Sequence, residues 1–372
     1  MKRNDLYKGL YNPNRFNAFD SAVVYSALLA VFVVIPQLTS LFLRYFFRAL
    51  YQYDTYAYLI VNILISQSAI LLIAFIWSKI RKTDPFSGGG YFAEFDGVKL
   101  LMSVILVMGI MMTFYRVHLQ VSDDADFLFG SFDLDINTGP LTPIFALIYI
   151  VLSAALPAVI EEMAFRGIIM RGLEQFGTLT AVILSSVAFS LMHGSFNQLI
   201  LQFLGGFAIG GVVAITKNYL LGCVMHAFNN IYAVVYGLLI QDELAESLQE
   251  IAILKVVDMA TVIIGIVCLF SSTVYFVKLA IHNINKEKEE NKNYGDLIGK
   301  KRYVEADKTT SEVRFLPPFV MAEMKKPREE DTRLFAIAGK LRPLNKKAPL
   351  APSIFLFSIA IIFAVAILIL QI

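Results

Sequence analysis

Unbroken apolar runs, set between charged or turn-rich breaks, dominate this chain. A helix needs about 20 mostly apolar residues to cross the hydrocarbon core. Nine runs have that form, near 20–43, 55–78, 98–115, 142–165, 178–193, 197–216, 218–240, 257–281 and 351–371. They are continuous and rich in Leu, Ile, Ala and Val, whereas the strands of a membrane barrel would alternate in short segments. The pattern predicts an all-α fold: a polytopic transmembrane helical bundle of about eight to nine membrane helices, with one long cytoplasmic loop. Composition points the same way. Of 372 residues, 57% are hydrophobic and 17% charged, with mean hydropathy +0.64, where soluble domains run at roughly half and a quarter.

Charge then narrows the partners and sets an orientation. A net charge of +2, with its bases spread along the chain, offers no basic surface for nucleic acid. Cys223 and Cys268 both fall inside apolar runs, which excludes a disulfide-stapled secreted module. Cytoplasmic loops carry the excess of Lys and Arg. Lys2, Arg3, Lys8 and Arg15 precede the first run, and Lys79, Arg81, Lys82 and Lys99 flank the second loop. The stretch 119–142 has Asp123, Asp124, Asp126, Asp133 and Asp135 without a base, and 241–254 has Asp242, Glu243, Glu246 and Glu250, again without one. Residues 282–350 hold 16 of the 32 Lys and Arg. The expected topology is N-in and C-out, with Arg44 and Arg48 as the local exceptions. The first run is too long for a signal-peptide core and reads as a retained anchor.

The expected organisation is 1–141 as N-terminal membrane helices, 142–240 as a core, 241–281 as a further membrane helix, 282–350 as the basic cytoplasmic loop and 351–372 as a C-terminal membrane helix. Within that loop, Lys286 to Lys292 (KEKEENK) reads as a solvated charge run, helical or disordered, and the following prolines as a linker. Gly206 and Gly210 have the small-xxx-small spacing of close helix packing.

Ionisable groups inside membrane helices are costly and usually functional or mutually paired. Here they concentrate between 157 and 230, as Glu161, Glu162, Arg166, His193, His226, Asn229 and Asn230. Residues four apart share a helix face, so Glu162 can pair with Arg166, Phe189 lies beneath His193, and His226 aligns with Asn230. Glu161 points about 100° away from Glu162. The spacing therefore leaves Glu161 outside the pair and desolvated, as a general base requires. Gly177 is the predicted turn between the fourth and fifth runs. Glu161 lies 16 residues before it and His193 lies 16 after, so an antiparallel hairpin brings the two level. A salt-bridge cluster that only locks helix packing is the structural alternative for the two glutamates. A transporter would show repeated halves or interrupted helices, and the sequence gives no sign of either.

The motifs EExxxR (Glu161 to Arg166), FxxxH (Phe189 to His193) and HxxxN (His226 to Asn230), on successive membrane helices, resemble the CAAX-protease and bacteriocin-processing family, the Abi or Rce1-like intramembrane proteases. The resemblance covers about 145–240. It implies that Glu161 activates a water that His193 helps to hold. It also implies that His226 and Asn230 form an oxyanion hole, worth about 3 to 4 kcal/mol per donor, with Glu162 and Arg166 in support. An alternative makes Glu161, His193 and His226 the ligands of a catalytic zinc; the metal-free reading, with no cofactor, is preferred. Another is a non-catalytic membrane partner or bacteriocin self-immunity factor on the same fold. The implied substrate is a peptide or protein at the bilayer, C-terminal or lipidated. Lys- and Asn-rich loops favour a bacterial plasma membrane over the endoplasmic reticulum.

Overall fold

A computed structural model of the protein describes residues 16–46, 55–81, 83, 85, 96–129, 143–194, 198–240, 252–299 and 350–370. The N-terminal bases, Asp133 and Asp135, the acidic stretch 241–251 and most of the basic loop, 300–349, lie outside the described residues. The chain divides into two compact units. One comprises 1–15 and 277–349, and its described part is the end of a helix. The other, 16–276 with 350–372, contains the candidate site.

Every described element is helical, and each predicted apolar run falls on a helix. They are α1 (Ala18–Phe46), α2 (Thr55–Arg81), α3 (Gly97–Phe129), the composite α4 from Pro143 to Leu173, α5 (Thr178–Met192), α6 (Leu199–Thr216), α7 (Tyr219–Ile240), α8 (Ala252–Gly299) and α9 (Leu350–Leu370). The protein is an integral membrane protein. Among the described residues five stretches are long and apolar enough to cross a bilayer: Ile60–Arg81, Gly97–Phe114, Leu147–Leu173, Leu199–Thr216 and Met259–Lys286. Ala18–Phe32, Thr178–Met192 and Pro352–Ala366 are shorter apolar helices. Large apolar side chains such as Leu72, Phe75, Ile263, Phe270, Phe355 and Ile362 are exposed, as a lipid-facing surface requires.

Two helices run on past the ends of their apolar runs. The fourth apolar run stops near 165, and the helix carries on through the charged stretch to Leu173, as the expected turn at Gly177 requires. It does so because Arg166 is buried rather than solvated. The start of the basic loop, 282–299, is the continuation of α8. No glycine or proline interrupts the chain between Ile266 and Tyr294, and the alternating signs of 286–292 suit a solvated helix.

Capping residues fix where the helices start. Asn17 Oδ1 accepts from the backbone N–H of Phe19 and Asp20 at 2.9 and 3.1 Å, and Asp20 Oδ2 accepts from Asn17 N–H at 2.8 Å. This reciprocal box begins α1. Asp20 also accepts from the Trp77 indole N–H at 3.2 Å and forms an ion pair with Arg81, Nε lying 2.9 Å from Oδ1, which ties the start of α1 to the end of α2. Asp96 caps α3 through the N–H groups of Val98 and Lys99.

α4 is not a uniform helix. Two π-helical turns, Val151–Ala155 and Phe165–Met170, flank the α-helical segment Leu156–Ala164. Pro157 supplies a cause for the first. It has no N–H to return to the carbonyl of Ser153, four residues earlier. Ser21 Oγ of α1 donates to the Ile169 carbonyl in the second π turn at 2.8 Å. A short 3₁₀ turn, Glu174–Phe176, then leads to Gly177, whose φ of 103° and ψ of 149° are accessible in practice only to glycine. The predicted turn is there, and it folds α5 back along α4.

α1 packs on α2, and α9 packs on α1 and touches α5. α5 pairs with α6, where Cβ atoms at Gly206 and Gly210 would lie 3.3 Å from Phe189 and 3.4 Å from Val182, so the small-xxx-small pair does bring two helices close. α2 packs against Leu156–Ala164, and α7 against α3, α6 and the first π turn. α3 and α8 meet backbone to backbone. A Cβ at Gly109 would lie 2.6 Å from the Leu269 nitrogen. Gly109→Ala should therefore lower stability by about 1–3 kcal/mol, read as thermal unfolding in nanodiscs. Gly211→Ala, with nothing within 4 Å of its Cβ, should leave the melting curve unchanged or move it slightly upward.

Candidate active site

Pro157, Glu161, Glu162 and Arg166 lie on the stretch of α4 between and within its π turns. Such turns re-aim side chains and recur at functional sites. Arg166 and Glu162 are both 0% exposed, and Arg166 Nη1 lies 2.9 Å from Glu162 Oε1. The expected pair is present. Arg166 Nη2 also donates to the Gly206 carbonyl of α6 at 2.9 Å, and its guanidinium sits 5.1 Å from the centre of the Phe189 ring. A buried guanidinium is thus held by a carboxylate, a carbonyl and a π face on two neighbouring helices.

Glu162 does more than neutralise Arg166. The same oxygen, Oε1, accepts from His226 Nδ1–H at 3.0 Å. Gly222, one turn before His226, permits this approach: a Cβ there would lie 2.7 Å from Val213 and 3.2 Å from Glu162 Oε2. With Nδ1–H committed to a carboxylate, the ring's other nitrogen is fixed in direction. His226 Nε2 faces Glu161 Oε2 at 3.9 Å. This is beyond a direct hydrogen bond.

Glu161 is buried and forms no pair with Arg166. Its other oxygen, Oε1, accepts from Gln67 Nε2 on α2 at 2.7 Å. The two adjacent glutamates therefore have different surroundings, as their angular separation on the helix predicts.

His193 caps the C-terminal end of α5, and Gly194 follows with φ of 60°. Its Nδ1–H donates to the Phe189 carbonyl at 2.9 Å, which leaves Nε2 as the acceptor of the neutral ring. The Phe189 ring meets the rings of His193, His226 and Phe165 edge-on, with centroids 4.8, 5.4 and 5.1 Å apart. Phe189 thus lies between the two imidazoles, one from α5 and one from α7. Phe32 of α1 approaches His193 with ring centroids 6.4 Å apart.

Asn230 shares the face of His226, one turn on, but its side chain is bonded elsewhere. Its Nδ2 donates to the Ser153 carbonyl at 3.5 Å, the carbonyl that Pro157 leaves without its α-helical donor. Its Oδ1 accepts from Asn229 Nδ2 at 3.4 Å. One of the two Asn230 amide hydrogens is consequently free of the Ser153 bond.

Glu161, Glu162, Arg166 and His226 thus form one connected group, and His193 joins it through Phe189. Sequence reasoning missed Gln67, Phe32 and the carbonyls of Ser153 and Gly206. Only Gln67 had a signal, a Ser-Gln-Ser interruption at 66–68 of the second apolar run. Cys223 and Cys268 are free thiols. Among the described residues no three His, Cys, Asp or Glu side chains are grouped so as to hold a metal ion. Each imidazole uses Nδ1 for a protein partner, Glu162 for His226 and the Phe189 carbonyl for His193, which leaves Nε2 as the directed atom of each ring, whether toward a water or a ligand.

Residues 143–232 match the family model described as type II CAAX prenyl endopeptidase Rce1-like. Over this segment the chain is similar to the CAAX-protease family. The match covers about a quarter of the chain and contains all three motifs, and the family is one of membrane proteases. The comparisons with curated proteins and with solved structures return no match. Gln67 and Phe32 lie outside the matched segment, on helices that the family model does not reach.

The buried pair sets the stability of this region. Removing one partner strands the other charge, and Arg166→Met should cost about 3–5 kcal/mol. Arg166→Lys should recover only part of the loss, because an ammonium cannot serve Glu162, the Gly206 carbonyl and the Phe189 face together. Thermal unfolding of the purified variants in nanodiscs measures both.

Proposed function

We propose that this protein is an intramembrane endopeptidase of the CAAX-protease type, in which Glu161 is the general base that activates water for attack on a peptide carbonyl. The observation that carries this reading is the split between the two glutamates. Glu162 is consumed by Arg166 and His226, while Glu161, with no cation among the described residues within ion-pair distance except the His226 ring, turns Oε2 toward His226 Nε2 across 3.9 Å. A single water can touch both atoms at hydrogen-bond length across such a gap.

The steps follow from these positions. Water gives a proton to Glu161 as its oxygen bonds to the carbonyl carbon, and the carbonyl π electrons move onto oxygen. His193 Nε2, the free acceptor of its ring, holds the water. When the His226 ring is doubly protonated, Nδ1–H remains on Glu162 and Nε2–H points to the oxyanion. Glu161, Glu162, Arg166 and His226 then sum to zero charge, which suits a site without bulk water. The free amide hydrogen of Asn230 is the second donor. Collapse of the tetrahedral intermediate breaks the C–N bond, and Glu161 returns its proton to the leaving amine.

No step uses a metal. The proposed substrate is a peptide segment of a membrane-associated protein, C-terminal or lipidated. The proposed setting is a bacterial plasma membrane, with the N-terminus and the basic segment 282–350 on the cytoplasmic side. The domain boundaries given above stand as part of the same proposal.

The test is cleavage of membrane-anchored peptides by purified protein. Glu161→Ala should lower kcat by about 10²–10⁴ while the protein remains folded, and wild-type turnover should persist in the presence of a strong chelator. Equal cleavage by wild type and variant would leave only a binding role for the fold. Loss of activity on chelation that zinc restores would replace the metal-free mechanism.

A further inference from the structure

Gln67 is a buried amide in the middle of an apolar helix, and nothing in the family match reaches it. Its Nε2–H donates to Glu161 Oε1 at 2.7 Å, while its own Oε1 is buried without a hydrogen-bond partner. Gln67, Ile70 and Ala74 are all buried. Their spacing of three and seven places them on one face of α2, and α2 packs against the Leu156–Ala164 segment that carries Glu161. The bond between Gln67 and Glu161 therefore joins two packed, rigid helices.

Its geometry has a chemical consequence. A glutamate without a strong partner turns about its terminal torsion, and either oxygen then faces the reaction. Arg166 cannot prevent this for Glu161, since it is spent on Glu162. The Gln67 donor engages Oε1, and Oε2 is the oxygen left opposite His226 Nε2. A buried amide with no catalytic bearing would gain equally from any acceptor. This one is directed at the single carboxylate that the site's own cation leaves alone.

We propose that Gln67 is a positioning residue for Glu161: by donating to Oε1 it holds the carboxylate with Oε2 toward the reacting water. The inference rests on the reading of Glu161 as the general base. It extends the functional site onto α2 and makes the N-terminal helices part of the enzyme's machinery, beyond a membrane anchor.

The experiment uses the full chain in phosphatidylethanolamine and phosphatidylglycerol nanodiscs. The probe is the quenched fluorescent peptide cleaved best in a library of farnesylated and unmodified C-terminal peptides. Gln67→Met keeps the volume and removes the donor, and should lower kcat by about 10- to 100-fold with KM within about threefold of wild type, the scale expected when a reacting group is misaligned. Gln67→His keeps an N–H at similar reach and should restore most of kcat. If the Met variant does not fold, Gln67→Leu, apolar and without a donor, must show the same loss.

Turnover like wild type in Gln67→Met, beside an inactive Glu161→Ala, overturns this inference and leaves the protease reading standing. So does an equal loss in the Met and His variants, or a rise in KM alone, since either reports packing. Glu161→Ala cleaving like wild type, or no peptide in the library being cleaved by wild type, removes the underlying reading and this inference with it.

Discussion

The structure depends on a guanidinium and a carboxylate that have been taken wholly out of solvent. Arg166 and Glu162 lie one helical turn apart on α4, both 0% exposed, with 2.9 Å between Nη1 and Oε1. Neither charge is tolerable alone in an apolar interior. Each must therefore be answered by further partners, and those partners are what bind the helices together. The Gly206 carbonyl and Phe189 ring answer Arg166 from α6 and α5, and His226 answers Glu162 from α7. One pair thereby fixes the mutual placement of four helices and, with it, the direction of the imidazole that faces Glu161.

This arrangement gives two chemically identical neighbours different work. Glu162 is an internal anchor. Glu161, one residue earlier and about 100° around the helix, reaches a different wall of the bundle, where it meets a neutral amide from α2. Irregular helix geometry helps to keep the two apart. The π turns on either side of Leu156–Ala164 offset its register from the rest of α4, and the carbonyl that Pro157 strands at Ser153 becomes a docking point for Asn230 of α7.

Much of this was legible in the sequence, because its causes are local. The apolar runs located the helices, four-residue spacing paired Glu162 with Arg166 and Phe189 with His193, and Gly177 marked the turn between α4 and α5. What was not legible depends on contacts between distant helices. Gln67 is 94 residues from Glu161, and no periodicity within either helix indicates that they meet. The bond from His226 to Glu162 spans 64 residues, and spacing alone had matched His226 with Asn230. The charge run at 286–292 left helix and disorder open, because mixed charges suit a solvated helix as well as a coil, and it continues α8.

The division of labour between the two glutamates is the central claim, and a paired measurement tests it most directly. Glu161→Gln and Glu162→Gln, each nearly isosteric, are compared for both thermal unfolding and turnover in nanodiscs. The account predicts that Glu161→Gln melts close to wild type and has lost turnover, while Glu162→Gln has lost both stability and turnover. The reverse pattern, in which Glu162→Gln stays stable and Glu161→Gln remains active, would contradict it.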